Sequence, residues 1–320
     1  MNKIIEKIDP ELWKAIQSSP FNEIEYEDLL INHPEKIRED EARLTIGEII
    51  EIPKQLHLEN IEIPSSEKDR TIRLRTYRPK GKKNLPILIY FHGGAFIYGT
   101  PEQYDFIFYK LALDAELLIV SVDYRLAPEY QFPAAMEDGY DTLLWLSEHA
   151  QQLDGDKKKM IIGGSSAGAT IATSITHLAR DKKEVKINHQ YLLYPPMSHL
   201  LQTTSMQELA NAPMQTKEAA KWMWTHYLNN QLSNPSQYAV PLLEDNFQNL
   251  PPATIITCEL DPLKDEAVIY ADLLKEAGIM VNLYEIKGAV HAFDFFECTL
   301  SDNFYHQQVK IFNQIKHQLK

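Results

Sequence analysis

Met160-Ile161-Ile162-Gly163-Gly164-Ser165-Ser166-Ala167-Gly168-Ala169 is the stretch from which the fold can be read. Three apolar residues of strand character lead into glycines, and a small-residue run that reads as a helix follows. The chain must therefore pass abruptly from strand to helix at Ser166. Gly164 and Gly168 flank that turn in the pattern Gly-x-Ser-x-Gly. A strand and a helix meeting so closely crowd the serine backbone, and glycine leaves the space. Ser166 then stands at a helix N-terminus, whose dipole and free amides favour developing negative charge. Two other glycine loops do not fit: a Walker loop needs Lys where Ala169 stands, and Ser165 takes the second glycine position of a dinucleotide fingerprint. Alone, the pattern would fit a plain glycine-rich β–α turn equally well, so its neighbours decide.

Outward from the turn, apolar runs alternate with helical patterns from about residue 85 onward. Residues 87–91, 117–122, 160–162, 191–194, 254–258 and 281–286 read as strands. Several are nearly continuous in apolar residues, as strands buried on both faces of a parallel sheet are. Residues 106–113, 140–149, 168–179 and 265–277 read as helices, the last closed by Gly278. Upstream, 56–63 and 71–77 alternate apolar and polar, which predicts an antiparallel pair at the sheet edge. The expected fold class is α/β: one domain over residues 1–320, with an eight-stranded, mostly parallel sheet and helices on both faces. Two stretches stand outside the alternation. Residues 1–50 read as short helices, with Asp9 as N-cap before Pro10 and a stop at Pro20. Residues 198–240 hold a second helical insert, in which Thr216 caps a helix carrying Trp222, Trp224 and Tyr227. Together the two are expected to form a helical cap over the C-terminal edge of the sheet, where open α/β sheets bind ligands.

Two further signals accompany the turn. His92-Gly93-Gly94-Ala95 directly follows the strand at 87–91. Attack on an ester carbonyl develops an oxyanion, and backbone amides of a glycine-rich turn can meet it. The candidate donors are Gly93, Gly94, Ala95 and, after the serine, Ala167. Asp261 follows the strand at 254–258, and His291 follows the last strand. A serine hydroxyl is a weak nucleophile until a base takes its proton, and that histidine needs a carboxylate to fix its tautomer. The order Ser166, Asp261, His291 is that of the α/β-hydrolases.

His92-Gly93-Gly94, the run from Val122 through Asp123, Tyr124, Arg125, Leu126, Ala127 and Pro128 to Glu129, Phe132-Pro133-Ala134-Ala135, the Gly164–Gly168 turn, Asp261-Pro262-Leu263-Lys264-Asp265 and His291-Ala292-Phe293 are six motifs in order. The chain resembles the hormone-sensitive-lipase family of α/β-hydrolase esterases, and within it bacterial acetyl esterases. The matches run from about residue 85 to 300; the cap regions carry no resemblance. The resemblance implies a cofactor-free serine hydrolase with a helical cap, acting on acetyl to medium-chain acyl esters through an acyl-enzyme. Two departures stand out. Ala95 replaces the third glycine of the family's His-Gly-Gly-Gly, and Ser165 stands where the family carries Asp. A hydroxyl there bonds more weakly than a carboxylate, which bears on loop order more than on the chemistry. Asp123, Arg125, Glu129 and Asp138 read as an ion-paired loop, and Trp222, Trp224 and Tyr227 as a wall of an acyl or alcohol pocket.

Composition narrows the setting. Hydrophobic residues make up 44% and charged residues 24% of the 320, ordinary for a globular chain. The formal net charge is −13 with no Lys/Arg stripe, which speaks against nucleic acid and anionic membranes as partners. No apolar run approaches the ~20 residues of a membrane span, and charges interrupt the N-terminus where a secretory segment would lie. Cys258 and Cys298 lack metal or disulfide spacing. A cytoplasmic enzyme without metal or cofactor, acting on a small-molecule ester, is expected; the sequence is silent on a homo-oligomer. An amidase or formamidase using the same residues, and a non-catalytic receptor, remain as alternatives.

Overall fold

Among the described residues, eight strands follow the apolar runs: β1 Leu56–Pro64, β2 Thr71–Pro79, β3 Leu85–Phe91, β4 Leu118–Val122, β5 Gly155–Ser165, β6 His189–Leu193, β7 Ala253–Cys258 and β8 Val281–Ile286. They form one sheet in the order β1-β2-β4-β3-β5-β6-β7-β8. β1 with β2, and β2 with β4, are antiparallel; every other pairing is parallel. The architecture expected from the sequence is therefore present. The computed structural model describes residues 3–45 and 50–319. Parts of the expected domain 1–320 and cap stretch 1–50, namely residues 1–2, 46–49 and 320, lie outside the described residues.

Among the described residues, ten α-helices accompany the sheet. They are α1 Pro10–Gln17, α2 Tyr26–Asn32, α3 Pro34–Thr45, α4 Asp105–Asp114, α5 Ala134–His149, α6 Ala167–Lys182, α7 Thr204–Glu208, α8 Lys217–Leu228, α9 Lys264–Glu276 and α10 Thr299–Gln318. Alternating strand residues divide the core into two layers. Ile87, Ile89 and Phe91 of β3 pack in one layer with Leu143 of α5, Ile175 of α6 and Tyr270 of α9. Leu88 and Tyr90 pack in the other with Phe108 of α4 and Ile311 and Phe312 of α10. α10 was not read from the sequence, because no motif marks it and its apolar positions are interspersed with polar ones.

The stretch before residue 50 divides. Asp9 caps α1 as expected, accepting from the Glu11 and Leu12 amides at 3.0 Å each. α1 buries Leu12 and Ile16 in the layer of α10, and the Asp9 amide donates to the Gly288 carbonyl at 3.0 Å. α2 does meet the 198–240 insert, and α3 packs on α2: the His226 ring donates to the Leu30 carbonyl at 2.7 Å, and Thr216 bonds Glu27. Thr216 also caps α8, accepting from the Ala219 amide at 3.0 Å.

Glu266, in the first turn of α9, anchors the start of the insert. One oxygen accepts from the Met197 and Ser198 amides at 2.9 and 3.0 Å; the other has no partner among the described residues. Burial pushes this carboxyl up to about 8 from an ordinary 4.5. The folded state thus keeps a proton that the unfolded chain releases, so this contribution to stability is lost as pH rises from about 4.5 to about 8. Glu266→Gln keeps the accepting carbonyl and removes the titration. In thermal melts from pH 5 to 8, its stability relative to wild type should rise with pH, by up to roughly 1.4 kcal/mol per pH unit. Parallel curves would contradict the assignment.

Candidate active site

Ser166 joins β5 to α6 with φ 50° and ψ −127°, a conformation that side chains other than glycine rarely adopt. Its amide donates to the Leu193 carbonyl at 2.9 Å, which ties the turn to β6. The flanking glycines show why the turn closes. A Cβ on Gly164 would lie 2.4 Å from the Gly168 carbonyl carbon, and one on Gly168 would lie 2.1 Å from the Phe91 carbonyl oxygen. α6 thus presses onto the end of β3. Ala167 opens α6, and its amide, like other first-turn amides, has no acceptor within the helix.

Asp261 and His291 arrive from the ends of β7 and β8. Asp261 Oδ1 accepts from the Leu263 amide at 2.9 Å, and its Oδ2 accepts from His291 Nδ1 at 2.6 Å. With Nδ1 donating to the carboxylate, Nε2 is the accepting nitrogen, and Ser166 Oγ lies 2.9 Å from it. Ser166, Asp261 and His291 are only 8%, 1% and 6% exposed, so water scarcely competes for these bonds. Tyr194 stands edge-on to the imidazole at 4.8 Å and donates to Asp294 at 2.7 Å, holding the ring from the side. Burial pushes the Asp294 carboxyl up.

The loop after β3 runs beside the serine. His92 Nδ1 donates to the Gly93 carbonyl at 2.7 Å and its ring stacks on Tyr124 at 4.2 Å. Burial holds this imidazole down to about 4, so it is neutral and structural. The Gly94 carbonyl accepts from the Ile97 and Tyr98 amides at 2.8 and 2.9 Å. Across a trans peptide the N–H points opposite to the C=O, so the Ala95 amide faces the other way. The Gly93 carbonyl is engaged likewise, by His92 and by Gln103 at 3.4 Å, which turns the Gly94 amide outward. Among the described residues neither amide has an acceptor. Gly93 is a correction to the expected donor set: its amide is taken by the Tyr104 hydroxyl at 3.3 Å. Gly94, Ala95 and Ala167 remain.

A model of the α/β hydrolase fold matches residues 88–295. The chain belongs to the α/β-hydrolase-fold family. Its likeness to the hormone-sensitive-lipase branch extends to named relatives. It is 31% identical over 89% of its length to the esterase LipI of Mycobacterium tuberculosis, covering 88% of that protein. To the carboxylic ester hydrolase LipN of the same organism it is 34% identical over 75% of its length, spanning 65% of LipN. The structure of a bacterial heroin esterase superposes with a TM-score of 0.88 at 28% identity, covering 97% of this chain and 98% of that one.

Other expected residues of this hydrolase fall differently. Trp224 and Tyr227 are each 1% exposed and offer no pocket surface. Tyr227 stacks face-on against Phe96 at 3.8 Å, with Trp224 5.7 Å away, so both buttress the turn after Ala95 from behind. Trp222 is partly buried against the same cluster, and its Nε1 donates to Glu218 at 2.9 Å. Their spacing on one helix showed a cluster but not which side the loop would occupy. Arg125 bonds Asp138 through its amide and side chain, Arg73 bonds Asp123, and Arg38 bonds Glu129, giving the expected ion-paired loop. Ser165 bonds the Tyr104 hydroxyl, which also receives the Gly93 amide. Tyr104 was not foreseen; it lies 61 residues from Ser165 and no motif marks it. Because Gly168 touches strand backbone, Gly168→Ala must push α6 off β3. Calorimetry should show a Tm lower by several degrees, as an overpacked core of this size gives. An unchanged Tm would contradict the close approach.

Proposed function

We propose that the chain is a serine-dependent carboxylic ester hydrolase acting on short- to medium-chain, acetyl-type acyl esters. The reading is carried by one observation: His291 bridges Ser166 Oγ at 2.9 Å and Asp261 at 2.6 Å in the chain order of its family. Ser166 Oγ attacks the ester carbonyl carbon while its proton passes to His291 Nε2. Asp261 holds the imidazolium that forms, keeping its orientation. The carbonyl oxygen becomes the oxyanion and is met by the amides of Gly94, Ala95 and Ala167. His291 then returns the proton to the departing alcohol, which leaves an acyl-Ser166 ester. Water attacks that ester as His291 takes its proton, and the carboxylic acid leaves as Ser166 regains the hydrogen. Esters are small molecules with no charge requirement, which accords with a chain of net charge −13. The two free cysteines, Cys258 and Cys298, accord with a reducing compartment such as the cytoplasm in this reading.

Rates on p-nitrophenyl acetate, butyrate, octanoate and palmitate, alongside p-nitroanilides of the short acids, test the proposal. Wild type should favour acetate and butyrate over palmitate and leave the anilides nearly untouched. Ser166→Ala should lose at least about 10³-fold in kcat. Equal rates in the two proteins would remove Ser166 from the chemistry, and anilide turnover matching the esters would favour the amidase reading.

A further inference from the structure

The turn that carries the oxyanion amides is strained. Gly94, Ala95 and Phe96 have φ of 124°, 53° and 64°, three successive positive values of which two belong to residues with a Cβ. Such a run persists only where its surroundings over-determine it. The cap supplies those surroundings. From α8, Tyr227 stacks on Phe96 at 3.8 Å; from α2, Tyr26 leans on Tyr98 at 5.5 Å. From α3, Arg38 makes the polar clamp. Its Nε donates to the Ile97 carbonyl at 2.7 Å, and one terminal nitrogen donates to the Ala127 carbonyl at 3.0 Å. Ala127 in turn donates its amide to the Phe96 carbonyl at 2.8 Å. The remaining guanidinium bonds go to Glu129 at 3.1 and 2.6 Å. The chain of contacts is short. Arg38 holds the Ile97 carbonyl, the Ile97 amide holds the Gly94 carbonyl, and that peptide presents the Ala95 N–H.

We propose that Arg38 is a positioning residue for the Gly94 and Ala95 amides, acting from the cap through the Ile97 and Ala127 carbonyls. The inference rests on the ester-hydrolase reading above. A planar guanidinium can serve two carbonyls and a carboxylate at once; an ammonium on a flexible stem serves fewer, so lysine replaces it only in part.

Arg38→Met, Arg38→Lys and Glu129→Gln, made in the full chain, test the proposal on p-nitrophenyl butyrate. Active sites are counted by fluorophosphonate titration, and assays run well below each Tm. Losing an oxyanion donor outright costs about 10²–10³ in rate, and misaligning one costs less. Arg38→Met should therefore lower kcat at least about tenfold with KM changed less than about threefold. Arg38→Lys should fall between it and wild type. Glu129→Gln, which leaves both carbonyl bonds, should stay within about twofold of wild type. An unchanged kcat per titrated site, or a change in KM alone, would overturn the role of Arg38 while leaving the esterase reading intact. If Arg38→Met does not fold, a wild-type kcat in Arg38→Lys would overturn it equally. A wild type without ester turnover would instead overturn the reading beneath it.

Discussion

Everything at this site depends on holding Ser166 at φ 50°, ψ −127° between a strand and a helix. Such a backbone costs free energy, roughly 1–3 kcal/mol for a side chain held in a sparsely populated region, and returns to an ordinary conformation unless its surroundings prevent it. The surroundings are the central strands. β5 lies between β3 and β6, and α6 bears on the Phe91 and His92 carbonyls through Gly168. The same closeness brings the loop after β3 alongside the serine: a Cβ on Gly93 would come within 3.1 Å of Ser165 Oγ. The turn at Ser166 and the loop after β3 are thus two sides of one packing contact.

Polarity is then distributed with economy. The three residues of the hydrogen-bonded chain are buried, and the low-dielectric surroundings strengthen each bond they make. Histidines packed elsewhere in the core stay uncharged: burial holds His92, His177 and His189 down to about 4. Desolvation comes first among the causes for each of them. His291 has a hydrogen-bonded carboxylate at 2.6 Å on one nitrogen and the Ser166 hydroxyl at 2.9 Å on the other, whereas the Glu244 carboxylate stands 3.6 Å from His177 Nδ1.

The sequence made the sheet, its order of chemistry and the Ser166, Asp261, His291 set legible, because each lies at a strand end where glycine, proline or a small residue marks the turn. What it left obscure was contact between distant elements. Nothing in residues 34–45, a charged helix that reads as a solvated surface, announces that Arg38 reaches the Ile97 carbonyl 59 positions away. Trp224 and Tyr227 read as pocket residues because aromatic side chains suit both a pocket and a core, and only the position of Phe96 decides between them. Gly93 was indistinguishable from Gly94 in the motif; the Tyr104 hydroxyl separates them. The different surroundings of α1 and α2 likewise follow from the partner of each helix, α10 for α1 and α8 for α2.

The proposed route requires that Ser166 becomes covalently acylated. Purified enzyme treated with a fluorophosphonate and examined by intact mass and peptide mapping addresses it without relying on turnover. One adduct per chain is expected, carried by the peptide containing Ser166 and lost in His291→Gln at matched times. An adduct on another residue, or none at saturating reagent, would contradict it.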